Sequence, residues 1–190
     1  GDAMQNSVPK GEGGMTAVLG STVQNIEEII KKNNDNFFVE IANDNSDGQI
    51  VLSGKNQDLE KLSSVLKENK IKNIKLPVSA PFHCSLMSKA TNIMRDELTK
   101  LNFQKGKNVL ISNITADEIF NADELKDLLV KQIENRVRWR ESVINMINKE
   151  IDHFIEIGPG KVLSGLVKRI NKDVKVSTIN SEEDIKNIKI

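Results

Sequence analysis

The order in which strand and helix patterns follow one another constrains this chain most. Met15-Thr-Ala-Val-Leu-Gly20 is a short apolar run closed by glycine and reads as a strand. Ser21 with Gln24 forms a capping-box signature, and Val23, Ile26, Ile29 and Ile30 repeat at helical spacing. A helix is therefore expected there, ending at a polar stop near residues 33–36. Phe37-Phe-Val-Glu-Ile-Ala42 and Gln49-Ile-Val-Leu-Ser-Gly54 read as strands joined through the turn formers Asn43-Asp-Asn-Ser-Asp-Gly48, a six-residue connection. Leu59, Leu62 and Leu66 mark a second helix, and residues 71–78 a fourth strand closed by Pro77 and Pro81. The order β-α-β-β-α-β is ferredoxin-like, two βα units on one sheet, and it predicts a compact subdomain over residues 11–80.

After Pro81 the rhythm changes. Leu86, Ala90, Ile93, Met94, Leu98 and Leu101 line one face of a long helix. Val109-Leu-Ile-Ser-Asn113 reads as a buried-type strand because its apolar run does not alternate. Helices are expected after Asn121 and around Trp139, Val143, Met146 and Ile147. His153-Phe-Ile-Glu-Ile157 is a strand broken by Gly158-Pro-Gly160, followed by a helix through Ile170, a strand over residues 174–179 and a short terminal helix. Strands separated by helices imply a parallel sheet with right-handed crossovers. Three such strands are fewer than a doubly wound sheet usually has.

Composition removes several classes of function. Lys plus Arg and Asp plus Glu number 27 each, so the formal charge is zero, and neither nucleic acid nor an anionic membrane is the expected partner. No apolar run is long enough to span a bilayer. A single cysteine, Cys84, allows no internal disulfide framework and suits a reducing, cytoplasmic setting.

His83 is the first candidate for chemistry. It lies in Ser79-Ala-Pro-Phe-His-Cys-Ser-Leu-Met87, between a strand end and a helix start. It is either a loop histidine bonded locally or a general base for a nucleophile supplied from elsewhere. Cys84, its neighbour, points in another direction and reads as a small core residue. His83, His153 and Cys84 give no metal-ligand spacing. Gly158-Pro-Gly-Lys161 resembles a phosphate-cradling turn but fits neither the P-loop nor the dinucleotide fingerprint, and reads as a strand-to-helix turn. Asn43 and Asn45 read as turn formers first, and Trp139 as core. Composition and spacing thus define an α/β protein with a ferredoxin-like unit and one suggestive histidine, without naming a reaction.

Several stretches together resemble malonyl-CoA:acyl-carrier-protein transacylases. They are Gly1-x-x-Met4-Gln5-x-x-Val8-Pro9 with Gly13-Gly14-Met15, then residues 43–54, then Pro77-Val-Ser-Ala-Pro-Phe-His-Cys-Ser-Leu-Met87. Ser112-Asn113-Ile-Thr-Ala116, Gln132 with Arg136-Val-Arg-Trp139, and Glu156-Ile-Gly-Pro-Gly-Lys-Val-Leu-Ser-Gly165 complete the series in order. In that family a serine on a Gly-His-Ser-Leu-Gly elbow attacks the malonyl thioester, histidine takes its proton, and backbone N–H groups hold the oxyanion. The resemblance implies that His83 is the base and that a carbonyl of Gln132 orients its ring. It implies that Phe82 goes with malonyl rather than methylmalonyl groups, and that Met4 and Asn45 lie near the acyl pocket. Malonyl-CoA and acyl carrier protein are the implied partners, coenzyme A thioester being a substrate and no cofactor being required. A monomer is expected at full length.

No Gly-x-Ser-x-Gly occurs in these residues, and the family's oxyanion glutamine is also absent. The place of its malonate-binding arginine, which would grip the carboxylate bidentately, falls one residue upstream of Gly1. The expectation is therefore the C-terminal two-thirds of such an enzyme, inactive alone. Residues 1–10 and 81–190 would form part of a large hydrolase-like α/β subdomain, with residues 11–80 inserted as the small one. An acyltransferase domain of a polyketide synthase is the second reading, although Ala80-Pro-Phe-His83 and the short tail after Ile179 favour the stand-alone enzyme. A non-catalytic module that docks a carrier is the third. Lys161, Lys168 and Arg169 are the candidate basic dock for an acidic carrier.

Overall fold

The computed structural model describes residues 2–104 and 106–188. A short helix α1 (Asp2–Gln5) precedes β1 (Gly13–Leu19), α2 (Val23–Lys32), β2 (Val39–Ser46), β3 (Gln49–Lys55), α3 (Asn56–Glu68) and β4 (Lys72–Lys75). The four strands form one antiparallel sheet in the order β2-β3-β1-β4. Helices α2 and α3 cover one face, where Val18, Val39, Ile41, Ile50 and Leu52 meet Ile26, Leu59, Leu62 and Leu66. Alternation along the strands sends Met15, Ala42 and Val51 to the other face, which packs against Leu76 and Phe82.

Local chemistry sets most of these boundaries, with corrections to the sequence reading. The cap of α2 is Thr22 rather than Ser21: Thr22 is extended, and its hydroxyl accepts from the Asn25 N–H. The Ser21 hydroxyl accepts instead from the Asn25 side chain at 2.9 Å. The fourth strand is Lys72–Lys75, shorter than residues 71–78, because Pro77 has no N–H to continue the ladder.

The largest correction concerns the hairpin. β2 runs to Ser46, so the connection is two residues, Asp47 and Gly48, rather than six. Bulges between Ile41 and Asn43 and between Asp44 and Ser46 carry the polar run along the sheet edge. Asp44 is 2% exposed there. Both its carboxylate oxygens accept from the Arg140 guanidinium, at 2.9 to 3.0 Å, across 96 residues. A distant partner thus outweighs the turn propensity of Asn43-Asp44-Asn45-Ser46.

From residue 79 the chain crosses to the rest of the molecule. A 3₁₀ turn (Ser85–Met87) leads into α4 (Ser88–Thr99), then β5 (Leu110–Ile111), β6 (Glu118–Ile119), α5 (Ala122–Lys131), α6 (Trp139–Asn148), β7 (His153–Ile157), α7 (Val162–Ile170), β8 (Lys175–Ile179) and α8 (Glu182–Asn187). β7 and β8 pair in parallel around α7, as the alternation predicts. Residues 109–113 do not form a buried parallel strand. Leu110–Ile111 pair antiparallel with Glu118–Ile119, and Val109 is 62% exposed, because no described strand flanks the other edge. On α4 Ala90 is buried but Ile93 is exposed, and Leu101, expected on the same face, is exposed beyond the helix end at Thr99.

The two regions are joined at the edge of β2. The Val137 N–H donates to Ala42 O at 2.8 Å and the Asp44 N–H to Val137 O at 2.9 Å. The start of β1 also abuts the crossing segment: a Cβ at Gly13 would stand 2.4 Å from Pro81 Cδ, so glycine is required for that approach.

Candidate active site

Everything that positions His83 follows from this junction. The segment Ala80-Pro81 is buried, Phe82 fills the space between the sheet and α4, and the chain then turns sharply into the 3₁₀ turn. His83 takes φ +58°, a left-handed conformation that costs a non-glycine residue on the order of 1 kcal/mol. Its Nδ1 lies 2.8 Å from the backbone carbonyl oxygen of Gln132. A carbonyl only accepts, so Nδ1 carries the hydrogen and the lone pair of the neutral ring sits on Nε2. Gln132 can offer that carbonyl because it caps the C-terminus of α5, where backbone oxygens lack helical partners. Its side chain is engaged elsewhere, accepting weakly from Asn113 Nδ2 at 3.4 Å.

The histidine lines a cleft of about 350 Å³ with Ile30, Val39, Glu40, Ile41 and Glu134. Arg136 and Glu27 close one side of it with an ion pair at 2.9 Å. Phe82 and Met4 lie in one apolar cluster with Met87, Ala90 and Ile133, next to Gln132. The structure thus joins His83 to Gln132 and packs Phe82 with Met4 in the apolar cluster that includes Ile133. Asn45 stays half-buried on β2, and no described hydrogen bond joins its side chain to the others.

Cys84 is fully buried, as expected of a core residue, with its thiol donating to Pro81 O at 3.1 Å. Burial pushes that thiol up from its ordinary value, which removes it as a nucleophile at neutral pH. His153 bonds Ser177 across the parallel strands. Among the described residues no cluster of His, Cys, Asp and Glu could hold a metal ion.

The turn at Gly158-Pro-Gly-Lys161 is not an anion cradle. The Glu156 carboxylate already occupies the N-terminus of α7, accepting from the Leu163 and Ser164 N–H groups at 3.1 and 2.7 Å. The Ser164 hydroxyl lies beside the carboxylate without a well-aligned bond, and together with those N–H groups it holds the Glu156 carboxyl below its ordinary range. A folded-state value below the unfolded one adds stability at neutral pH that is lost as pH falls through the lowered value. In Glu156→Ala, amide exchange in the first turn of α7 is expected to be faster at neutral pH. The wild-type chain should approach the variant only below the usual carboxylate range. Equal protection at neutral pH would contradict the capping role.

The expected basic dock is also altered. Lys168 donates to the carbonyls of Lys172 and Val174, at 3.0 and 2.6 Å, and Arg169 bonds the Gln49 side chain. Both side chains tie down the end of α7, so they form no unpartnered patch. Two features with no local signal escaped the sequence reading: the Asp44–Arg140 pair and the bonds from Glu40 to Ser85, at 2.8 Å to the N–H and 2.7 Å to the hydroxyl.

The family model described as "Acyl transferase domain" matches residues 2–188. The chain belongs to the acyl transferase domain family. Within it, malonyl CoA-acyl carrier protein transacylase of Bacillus subtilis (strain 168) is 38% identical over 187 residues, covering 97% of this chain and 59% of that protein. A crystal structure of malonyl CoA-acyl carrier protein transacylase from Clostridium perfringens ATCC 13124 superposes with a TM-score of 0.93 at 42% identity, covering 97% of this chain and 58% of the other. A malonyl-transacylase solved in complex with a type II polyketide acyl-carrier protein gives 0.92 at 30% identity, over 97% and 60%. The chain therefore spans about three-fifths of the length of the curated relatives it matches. Among the described residues no helix is long and apolar enough to cross a membrane.

Proposed function

We propose that this acyl transferase chain supplies the general base and one wall of the acyl cleft for malonyl transfer from coenzyme A to a carrier protein. The observation that carries the reading is the 2.8 Å contact between His83 Nδ1 and the Gln132 backbone carbonyl, which leaves Nε2 free to accept a proton. In this reading the nucleophile is a serine on a Gly-x-Ser-x-Gly elbow, a motif these 190 residues do not contain. Nε2 takes the seryl proton as the oxygen attacks the thioester carbonyl. Collapse of the oxyanion breaks the C–S bond, and the imidazolium returns its proton to the departing coenzyme A thiol. The phosphopantetheine thiol of the carrier then attacks the seryl ester by the same steps in reverse.

Phe82 narrows the pocket in favour of malonyl over methylmalonyl groups, with Met4 and Asn45 contributing to its walls. Residues 11–80 form a ferredoxin-like subdomain, supported by the strand order β2-β3-β1-β4 with both helices on one face. It is inserted in a hydrolase-like α/β unit to which residues 1–10 and 81–190 belong. The similarity to a transacylase solved with a polyketide carrier keeps polyketide synthesis beside fatty-acid synthesis as the setting.

The test mixes the protein carrying these residues with malonyl-CoA and a carrier in two forms. Malonyl transfer is expected to the carrier bearing the phosphopantetheine thiol and not to the carrier lacking it. A thiol-bearing carrier that stays unloaded contradicts the proposal.

A further inference from the structure

His83 is held in a strained conformation, and the ring contact with Gln132 fixes only one end of it. The backbone that carries the ring continues directly into the 3₁₀ turn at Ser85–Met87 and then α4. That helical start has no cap of its own: Cys84 stands at the cap position and makes no side-chain bond to the turn. Unpaired N–H groups at a helix start are positive and need an acceptor. Glu40 supplies one from β2, 45 residues away, through one carboxylate oxygen that accepts from both the N–H and the hydroxyl of Ser85.

We propose that Glu40 is a positioning residue for His83, acting through Ser85. Together with Gln132 it grips the loop from two sides: β2 of the small sheet holds the backbone just after the histidine, and the end of α5 holds the ring. Glu40 also lines the same cleft as His83, so the clamp registers where the small sheet stands relative to the rest of the site. Loosening it lets residues 83–85 leave the strained conformation and swings Nε2 away from the reacting atoms. A displacement near 1 Å is enough to cost catalysis heavily. The contribution to transfer rests on the function proposed above; the contribution to the ring's geometry does not.

The experiment follows the imidazole directly. The ring nitrogens of His83 are followed by long-range nitrogen–proton correlation in ¹⁵N-histidine-labelled protein, with His83→Ala identifying which signals belong to it. Wild type is expected to show the Nδ1–H tautomer. Glu40→Ala should show exchange between tautomers, Ser85→Ala an intermediate pattern, and Glu40→Gln, which keeps an acceptor, should restore the wild-type pattern. In the transfer assay Glu40→Ala is expected to lower kcat about tenfold or more with KM unchanged, and Glu40→Gln to rescue it. An unchanged His83 ring in a folded Glu40→Ala protein overturns the proposal. So does a parallel loss of kcat, KM and thermal stability with no change in the ring, which is a merely structural effect. If Glu40→Ala loosens the ring while His83→Ala transfers malonyl at the wild-type rate, the clamp stands and the function proposed for the site fails.

Discussion

Replacing Arg140 by alanine is expected to cost about 3–5 kcal/mol of stability, because it leaves the Asp44 carboxylate buried without its counter-charge. Asp44 has 3% of its side-chain surface exposed, whereas Arg140 keeps 23% and also faces Asp47 at 3.7 Å. The two single variants should therefore differ. Asp44→Ala frees a guanidinium that can turn towards water and Asp47, so its cost should be the smaller. The Asp44 bonds hold the Arg140 guanidinium above even the ordinary arginine value, so Arg140 stays charged across the accessible pH range. Removing both charges together, as Asp44→Leu with Arg140→Met, should recover much of the loss, since a buried pair is often replaceable by apolar groups. Thermal unfolding checks the ranking: Arg140→Ala should lower the midpoint by about 10 °C for a chain of this size. Equal, small effects from both single changes would mean that the pair is not what joins β2 to α6.

The second large effect concerns catalysis. His83→Ala is expected to lower kcat for malonyl transfer by about a thousandfold, within the usual range for removing a general base, with KM nearly unchanged. Gln132→Ala should lower it only a few-fold, because the group holding the ring is the backbone carbonyl, which the substitution leaves in place. That contrast separates this geometry from a triad in which a side chain does the holding, where both changes are severe. Steady-state kinetics of the two variants side by side decide it. A Gln132→Ala protein as impaired as His83→Ala would place the orienting group in the side chain.

Elements whose signals are local were legible in the sequence. The helical repeat of Val23, Ile26 and Ile29, the Asn121 cap of α5, the parallel pair around Gly158-Pro-Gly160 and the burial of Cys84 all follow from neighbouring residues. His83 was legible as a candidate because it lies between a strand end and a helix start, and Phe82 and Met4 share one apolar cluster with Ile133. Asp44 and Ser46 misled because turn-forming side chains are indistinguishable from strand residues until Arg140 is known to reach Asp44. Val109 and Leu110 misled in the opposite sense, an apolar run that the described residues leave exposed. Glu40 gave no warning at all. In Val39-Glu40-Ile41 it is the polar member of an alternating strand, and only the crossing of residues 79–85 past β2 brings a helix start to its carboxylate.

The central claim is that Nε2 of His83, left free by the Gln132 carbonyl, takes the proton of the attacking hydroxyl. The most direct measurement is rapid-quench formation of the malonyl ester in the protein that carries these residues together with the nucleophilic serine, at saturating malonyl-CoA, with His83→Ala beside wild type and malonyl-CoA binding followed by calorimetry. The variant is predicted to bind malonyl-CoA as wild type does while forming the ester about a thousandfold more slowly. Ester formation at the wild-type rate without the imidazole would contradict the claim.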